Sequence, residues 1–168
     1  DSVRTADSDP EGIELTPASR FEPERSRPRI FVEELVLDDG HDVAIVRGAR
    51  GRDRIAFLHG LCGQATGYLQ SSQFAAAEHG LAVAPYGDMK CPHGHQRSWS
   101  VDILATDALI VATLGAGGAG YDPRGVTLIG YSLGPTRAEH VAREHPERYD
   151  ALVLIGGPSA PSPRGLSQ

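Results

Sequence analysis

The run Val126-Thr127-Leu128-Ile129-Gly130-Tyr131-Ser132-Leu133-Gly134 constrains this chain more than any other. An apolar strand pattern leads into Gly-x-Ser-x-Gly, and a helix-compatible stretch follows from about Leu133 to His145, where Pro146 stops it. A sharp strand-to-helix turn of this kind lifts a serine hydroxyl clear of the backbone at the end of a buried strand. Gly130 and Gly134 have a steric reason to be small, because Cβ atoms there would crowd the turn. The start of the helix also aims free amides at the same space. Ser132 is therefore the candidate nucleophile, and the Leu133 amide a candidate donor to a developing oxyanion.

The rest of the chain supplies a frame for that turn. Residues 1–29 hold Pro10, Pro17, Pro23 and Pro28 among many charges and show no hydrophobic periodicity, so they read as an extended or disordered N-terminal arm. The body, residues 30–168, is long enough to bury a core. Strands are expected over 30–37, 41–46, 53–58, 81–85, 126–130 and 150–155, and helices over 66–79 and 101–114 as well as after Ser132. The first strands read as hairpins, with turns at Asp38-Asp39-Gly40 and at Arg50-Gly51. Strand–helix alternation then predicts an α/β fold: a mostly parallel sheet with helices on both faces and an antiparallel edge. In such sheets ligands bind at the carboxyl ends of the strands, where the loops after Leu58, Pro85 and Gly130 fall.

Charge and composition exclude several classes. The net charge of −6 is scattered over 168 residues. Arg47, Arg50, Arg52 and Arg54 form the densest basic patch, but glycines and Asp53 interrupt it, and no stripe with stacking aromatics offers a nucleic-acid groove. No stretch reaches 18 apolar residues, so no membrane span is expected. The glycines of 115–120 lack the Lys-Ser/Thr that a phosphate loop needs. Cys91, His93 and His95 lie within five residues, which makes a poor closed zinc site without a distant ligand pair, and no metal is expected.

A second cluster stands after the third strand. In His59-Gly60-Leu61-Cys62-Gly63 the glycines permit a tight turn, and the Leu61 amide is the candidate second oxyanion donor. His59 reads as a support that hydrogen-bonds the turn rather than as a base. Cys62 and Cys91 both fall in loops after neighbouring strands at one end of the sheet. That placement permits a disulfide, two free thiols are the alternative, and the even count does not decide. A bridge would indicate an oxidising compartment, secreted or periplasmic, whereas free thiols leave the cytoplasm open. Tyr68, Tyr86, Trp99 and Tyr131 are candidates for aromatic surface near the site, with core packing the first expectation for Tyr131.

Phe57-Leu58-His59-Gly60-Leu61, followed by Gly130-Tyr131-Ser132-Leu133-Gly134 and then by His145-Pro146-Glu147-Arg148-Tyr149-Asp150-Ala151-Leu152-Val153-Leu154-Ile155, resembles the α/β-hydrolase superfamily over roughly residues 30–160. The resemblance implies that the His-Gly segment forms the oxyanion loop and that Ser132 attacks a substrate carbonyl. It also implies a histidine near the carboxyl end and an acid after a later strand. Residues 156–168 contain no Asp, Glu or His, so this chain resembles the amino-terminal portion of the fold. The expectation is that acid and histidine come from outside it, first on a companion chain left by proteolytic cleavage, with the alternative that this sequence is a fragment of a longer one.

The expected activity is that of a serine hydrolase acting on a small carboxylic ester through an acyl-enzyme, with no cofactor. A peptidase or amidase of the same fold is the near alternative, and a non-catalytic binding protein that kept the fold the more distant one.

Overall fold

A computed structural model describes residues 30–48, 51–92, 94–118 and 124–157. The expected N-terminal arm, His93, Arg50 and the loose terminal stretch after residue 157 lie outside the described residues. Within them, six strands form one sheet in the order β1(33–36), β2(42–47), β4(80–85), β3(53–58), β7(126–131), β8(149–155), and a two-residue hairpin, β5(89–90) with β6(97–98), stands apart. Three helices, α1(65–79), α2(103–116) and α3(134–144), complete the described residues.

The strand order departs from expectation in one place. β2 does not form a hairpin with β3: its second neighbour is β4, antiparallel to it, with Ile45 opposite Val83. β4 therefore stands between β2 and β3, which are not neighbours. The expected antiparallel edge is present: β1 and β2 pair antiparallel at one end of the sheet. From β4 through β3 and β7 to β8 every pairing is parallel. Local turn chemistry between β2 and β3 cannot reveal this, because the choice of neighbour is made by burial. β2 and β4 carry apolar residues on both faces, Val43 to Val46 and Ala82 to Ala84, and all are buried between helices.

Two cores follow from the alternation along the strands. One face carries Ala44, Val46, Ala82, Ala84, Ile55 and Phe57 against α1, through Ala65, Leu69, Ala76 and Ala77. The opposite face carries Ile45, Val83, Ala56, Leu58, Val126 and Leu128 against α2 and α3, through Leu109, Ile110, Leu114, Ala138 and Val141. Fully burying a valine, leucine or isoleucine side chain among these contributes roughly 1.5–3 kcal/mol.

The helix ends are specified locally. Asp102 caps α2 by accepting from the Ala105 amide at 3.0 Å. Gly80 ends α1 at φ +139°, its amide bonded to the Ala76 carbonyl. Arg47 reaches the end of α2 and donates to the carbonyls of Gly117 and Ala116, while pairing with Glu33. Carbonyls at a helix C-terminus are acceptors without partners, and a cation there also opposes the helix dipole.

Among the described residues α1 covers β2, β4 and β3, and no helix covers the same face of β7 and β8. Tyr131, Val153 and Ile155 stand there 39%, 42% and 45% exposed. Tyr131 is thus not a core residue, contrary to expectation. In the sheet register it pairs with Ile155 and lies on the uncovered face, where its ring meets Tyr68 of α1 at 5.2 Å. Among the described residues no helix is long and apolar enough to cross a membrane.

Candidate active site

The site stands at the carboxyl ends of β3, β4 and β7. β7 ends at Tyr131 and α3 begins at Gly134, so two residues reverse the chain. Ser132 makes the turn at φ +59°, a left-handed conformation shared by one other described non-glycine residue, Cys62 at +49°. An L-residue accepts this at a cost of about 1–2 kcal/mol, so the surroundings must enforce it. The Ser132 amide donates to the Ile155 carbonyl at 2.9 Å, which continues the β7–β8 ladder into the turn. A Cβ on Gly130 would stand 2.5 Å from the carbonyl carbon of Gly134, and one on Gly134 would stand 2.1 Å from the carbonyl oxygen of Leu58. The two glycines are therefore what lets α3 start this close to the ends of β3 and β7.

The 59–64 loop lies against this turn. A Cβ on Gly60 would sit 2.8 Å from Ser132 Cβ and 3.2 Å from Ser132 Oγ. Ser132 is half-buried, and the Leu61 side chain is 67% exposed. The amides of Leu61 and Leu133 donate no hydrogen bond to any described residue, and neither does the Ser132 hydroxyl. Amides without partners near a serine hydroxyl are the kind of group from which an oxyanion site is built.

His59 is fully buried beneath the loop. Its Nδ1 lies 2.7 Å from the Gly60 carbonyl, and its Nε2 accepts from the Gly87 amide at 3.0 Å. These partners fix the tautomer, with the proton on Nδ1, and burial holds the ring's pKa below the ordinary histidine value. With both nitrogens engaged, His59 has none left to take a proton from Ser132. Trp99, 4% exposed, donates from Nε1 to the His59 carbonyl at 2.8 Å and packs on the imidazole at 4.8 Å. Trp99 is thus a support under the loop rather than aromatic surface. Forty residues separate it from its partner, and no local pattern signals the pairing.

Cys62 and Cys91 form a disulfide. Pairing requires β3 and β4 to be neighbours, which they are. Cys91 is consequently not a thiolate ligand, and among the described residues no group of three His, Cys, Asp or Glu side chains stands close enough to hold a metal. The loop expected over 86–100 contains the β5–β6 hairpin, and Gly63 bridges to Arg97 on it.

Three further acids and one histidine have other occupations. Asp88 accepts from the Ser100 amide, and Asp102 caps α2. Asp107 is buried and takes hydrogen bonds from Arg148 and from the Tyr149 hydroxyl, while His145 stands 3.5 Å away. This cluster ties α2 to the start of β8, at the end of the sheet opposite Ser132. Burial, and then the neighbouring Asp107, push the Tyr149 hydroxyl above its ordinary pKa.

No protein-family model matches the chain, and no curated protein matches its sequence. Solved structures do match. A bacterial membrane phospholipase A is 22% identical, with a TM-score of 0.53 over 78% of this chain and 41% of its own. An epoxide hydrolase from Vigna radiata is 23% identical, with a TM-score of 0.53 over 80% and 43%. A predicted hydrolase from Thermoplasma acidophilum is 18% identical, with a TM-score of 0.55 over 77% and 64%. The fold of this chain is the partial α/β-hydrolase fold that these enzymes share, and the chain spans less than two thirds of each of them.

Proposed function

We propose, with the α/β-hydrolase fold as premise, that Ser132 is the nucleophile of a serine hydrolase acting on carboxylic esters. The observation that carries the reading is the left-handed turn at Ser132 with Gly60 packed against its Cβ, because a serine held in a strained turn beside free amides has no evident packing purpose. In the proposed reaction Ser132 Oγ bonds to the ester carbonyl carbon as its proton passes to a histidine. The amides of Leu61 and Leu133 hold the oxyanion, the C–O bond to the alcohol breaks, and the imidazolium returns its proton to the departing alcohol. Water then attacks the acyl-enzyme by the same route and releases the carboxylic acid and free Ser132. No cofactor has a role in this sequence.

His59 is engaged, and His145 lies with Asp107 at the far end of the sheet, so neither suits the base. The histidine and its orienting acid are in this proposal supplied from outside residues 1–168, either by polypeptide continuous with them or by a companion chain. The open apolar face of Tyr131, Val153 and Ile155 supports such a complement, since a face of this kind is normally covered. The likeness to a phospholipase A favours esters over amides, whereas the likeness to an epoxide hydrolase shows how little the fold limits the substrate.

The test is labelling with a fluorophosphonate probe, read by intact mass and peptide mapping. One adduct on Ser132 in the whole protein, absent from Ser132→Ala, is expected. Ester turnover undiminished in Ser132→Ala would refute the proposal. Full turnover by residues 1–168 alone would refute the external histidine and acid.

A further inference from the structure

We infer that the Cys62–Cys91 disulfide is a positioning element for the oxyanion loop, so that the hydrolytically competent form of the protein is the oxidised one. This rests on the reading of Leu61 as an oxyanion donor. The loop is anchored on both sides of that residue but not at it. Upstream, His59 is fixed by Gly87, by Trp99 and by its own bond to Gly60. Downstream, the Gly63 carbonyl accepts from the Arg97 amide at 3.2 Å, and the Gly63 amide donates to Gly60. The Leu61 side chain is largely in solvent and holds nothing. Between the anchors stands Cys62 at φ +49°, which an unrestrained L-residue leaves for negative φ.

The bond to Cys91 ties that residue to the segment that carries β5 and β6. The segment is rigid where it matters: Gly87 is bonded to the His59 ring, and a Cβ on it would stand 2.0 Å from the Ser98 carbonyl oxygen. A dithiol reductant would supply two electrons and two protons, breaking the S–S bond into two thiols and leaving the dithiol as its own disulfide. Cys62 then relaxes in φ, and the peptide units between the fixed ends of the loop reorient. The Leu61 amide, which has no bond of its own to oppose this, turns away from Ser132. His59, Trp99 and the strands keep their places, so the loss is of geometry at one donor rather than of the fold.

The experiment measures p-nitrophenyl ester hydrolysis and backbone hydrogen exchange on the whole protein. Oxidised wild type, dithiol-reduced wild type, re-oxidised wild type, the double variant Cys62→Ser/Cys91→Ser and Ser132→Ala are compared. Loss of one oxyanion donor lowers kcat about 100-fold, so a fall of that order at little-changed KM is expected on reduction and in the double variant, with recovery on re-oxidation. Exchange should rise more at residues 60–63 than in β3 and β7, which feel only the lower global stability. Ser132-dependent turnover that is indifferent to reduction and to the double substitution would overturn the role of the disulfide while leaving the hydrolase reading intact. Exchange rising equally in the central strands would overturn it as well, by showing a general loosening. Oxidised protein whose turnover survives Ser132→Ala, or that has none, would instead overturn the hydrolase reading beneath it.

Discussion

Gly134 offers the sharpest test of the geometry, because helix propensity and packing make opposite predictions for it. It is the first residue of α3, and replacing a helical glycine by alanine ordinarily stabilises by about 0.5–1 kcal/mol. A Cβ there, however, would stand 2.1 Å from the Leu58 carbonyl oxygen, 3.0 Å from its carbon and 3.3 Å from the His59 carbonyl oxygen. All three are backbone atoms at the end of β3, so no rotamer change relieves the overlap, and α3 must withdraw from the strand by about 1 Å, which forfeits much of the dispersion energy of the close approach. Overpacking of this kind costs typically 1–3 kcal/mol. Gly134→Ala should therefore lose about 2 kcal/mol net, roughly 6–12 °C in Tm for a body of this size. Gly67, inside α1, is the control: a Cβ there meets nothing within 4 Å, and Gly67→Ala should gain about 0.5–1 kcal/mol. Urea denaturation and thermal melts followed by far-UV circular dichroism compare the two. If Gly134→Ala proves as stable as Gly67→Ala, α3 does not begin against the end of β3, and the geometry assigned to the serine turn is wrong.

Three further outcomes follow from the same structure. His59 has its pKa lowered by burial, so its contribution to stability is present above the ordinary histidine value and is lost as pH falls through its folded value; NMR of the imidazole nitrogens should show a neutral Nδ1–H form with a titration midpoint below the ordinary histidine value. Asp107→Ala leaves the Arg148 guanidinium and Tyr149 hydroxyl without their carboxylate and should cost about 3–5 kcal/mol in chemical denaturation; because the Tyr149 pKa is raised, wild type should also lose stability as pH climbs beyond 10, and Tyr149→Phe should blunt that loss. Cys62 and Cys91 are 29 residues apart, and opening a loop of that length should lower global stability by about 3.5 kcal/mol in the chain-entropy account, readable as a lower urea midpoint for Cys62→Ser/Cys91→Ser.

What the sequence determined is what local chemistry determines. The apolar run into Gly130, the glycines on either side of Ser132, Asp102 before α2 and Gly80 after α1 each act within a few residues, and the parallel α/β class followed from their alternation. The glycines of the 59–63 loop were legible in the same way. Only the tertiary structure decided which strands are neighbours. β2 lies beside β4 because both are apolar on two faces and need cover on two sides, and nothing in the turn between β2 and β3 records that. The disulfide was a matter of that same adjacency, since two cysteines in 168 residues fit either redox state until β3 and β4 are placed side by side. Tyr131 faces outward by its register with Ile155, and Trp99 reaches His59 across forty residues of chain. Such long-range pairings are selected by the burial and hydrogen bonding of the whole sheet, a sum over elements distant in sequence that no short window contains.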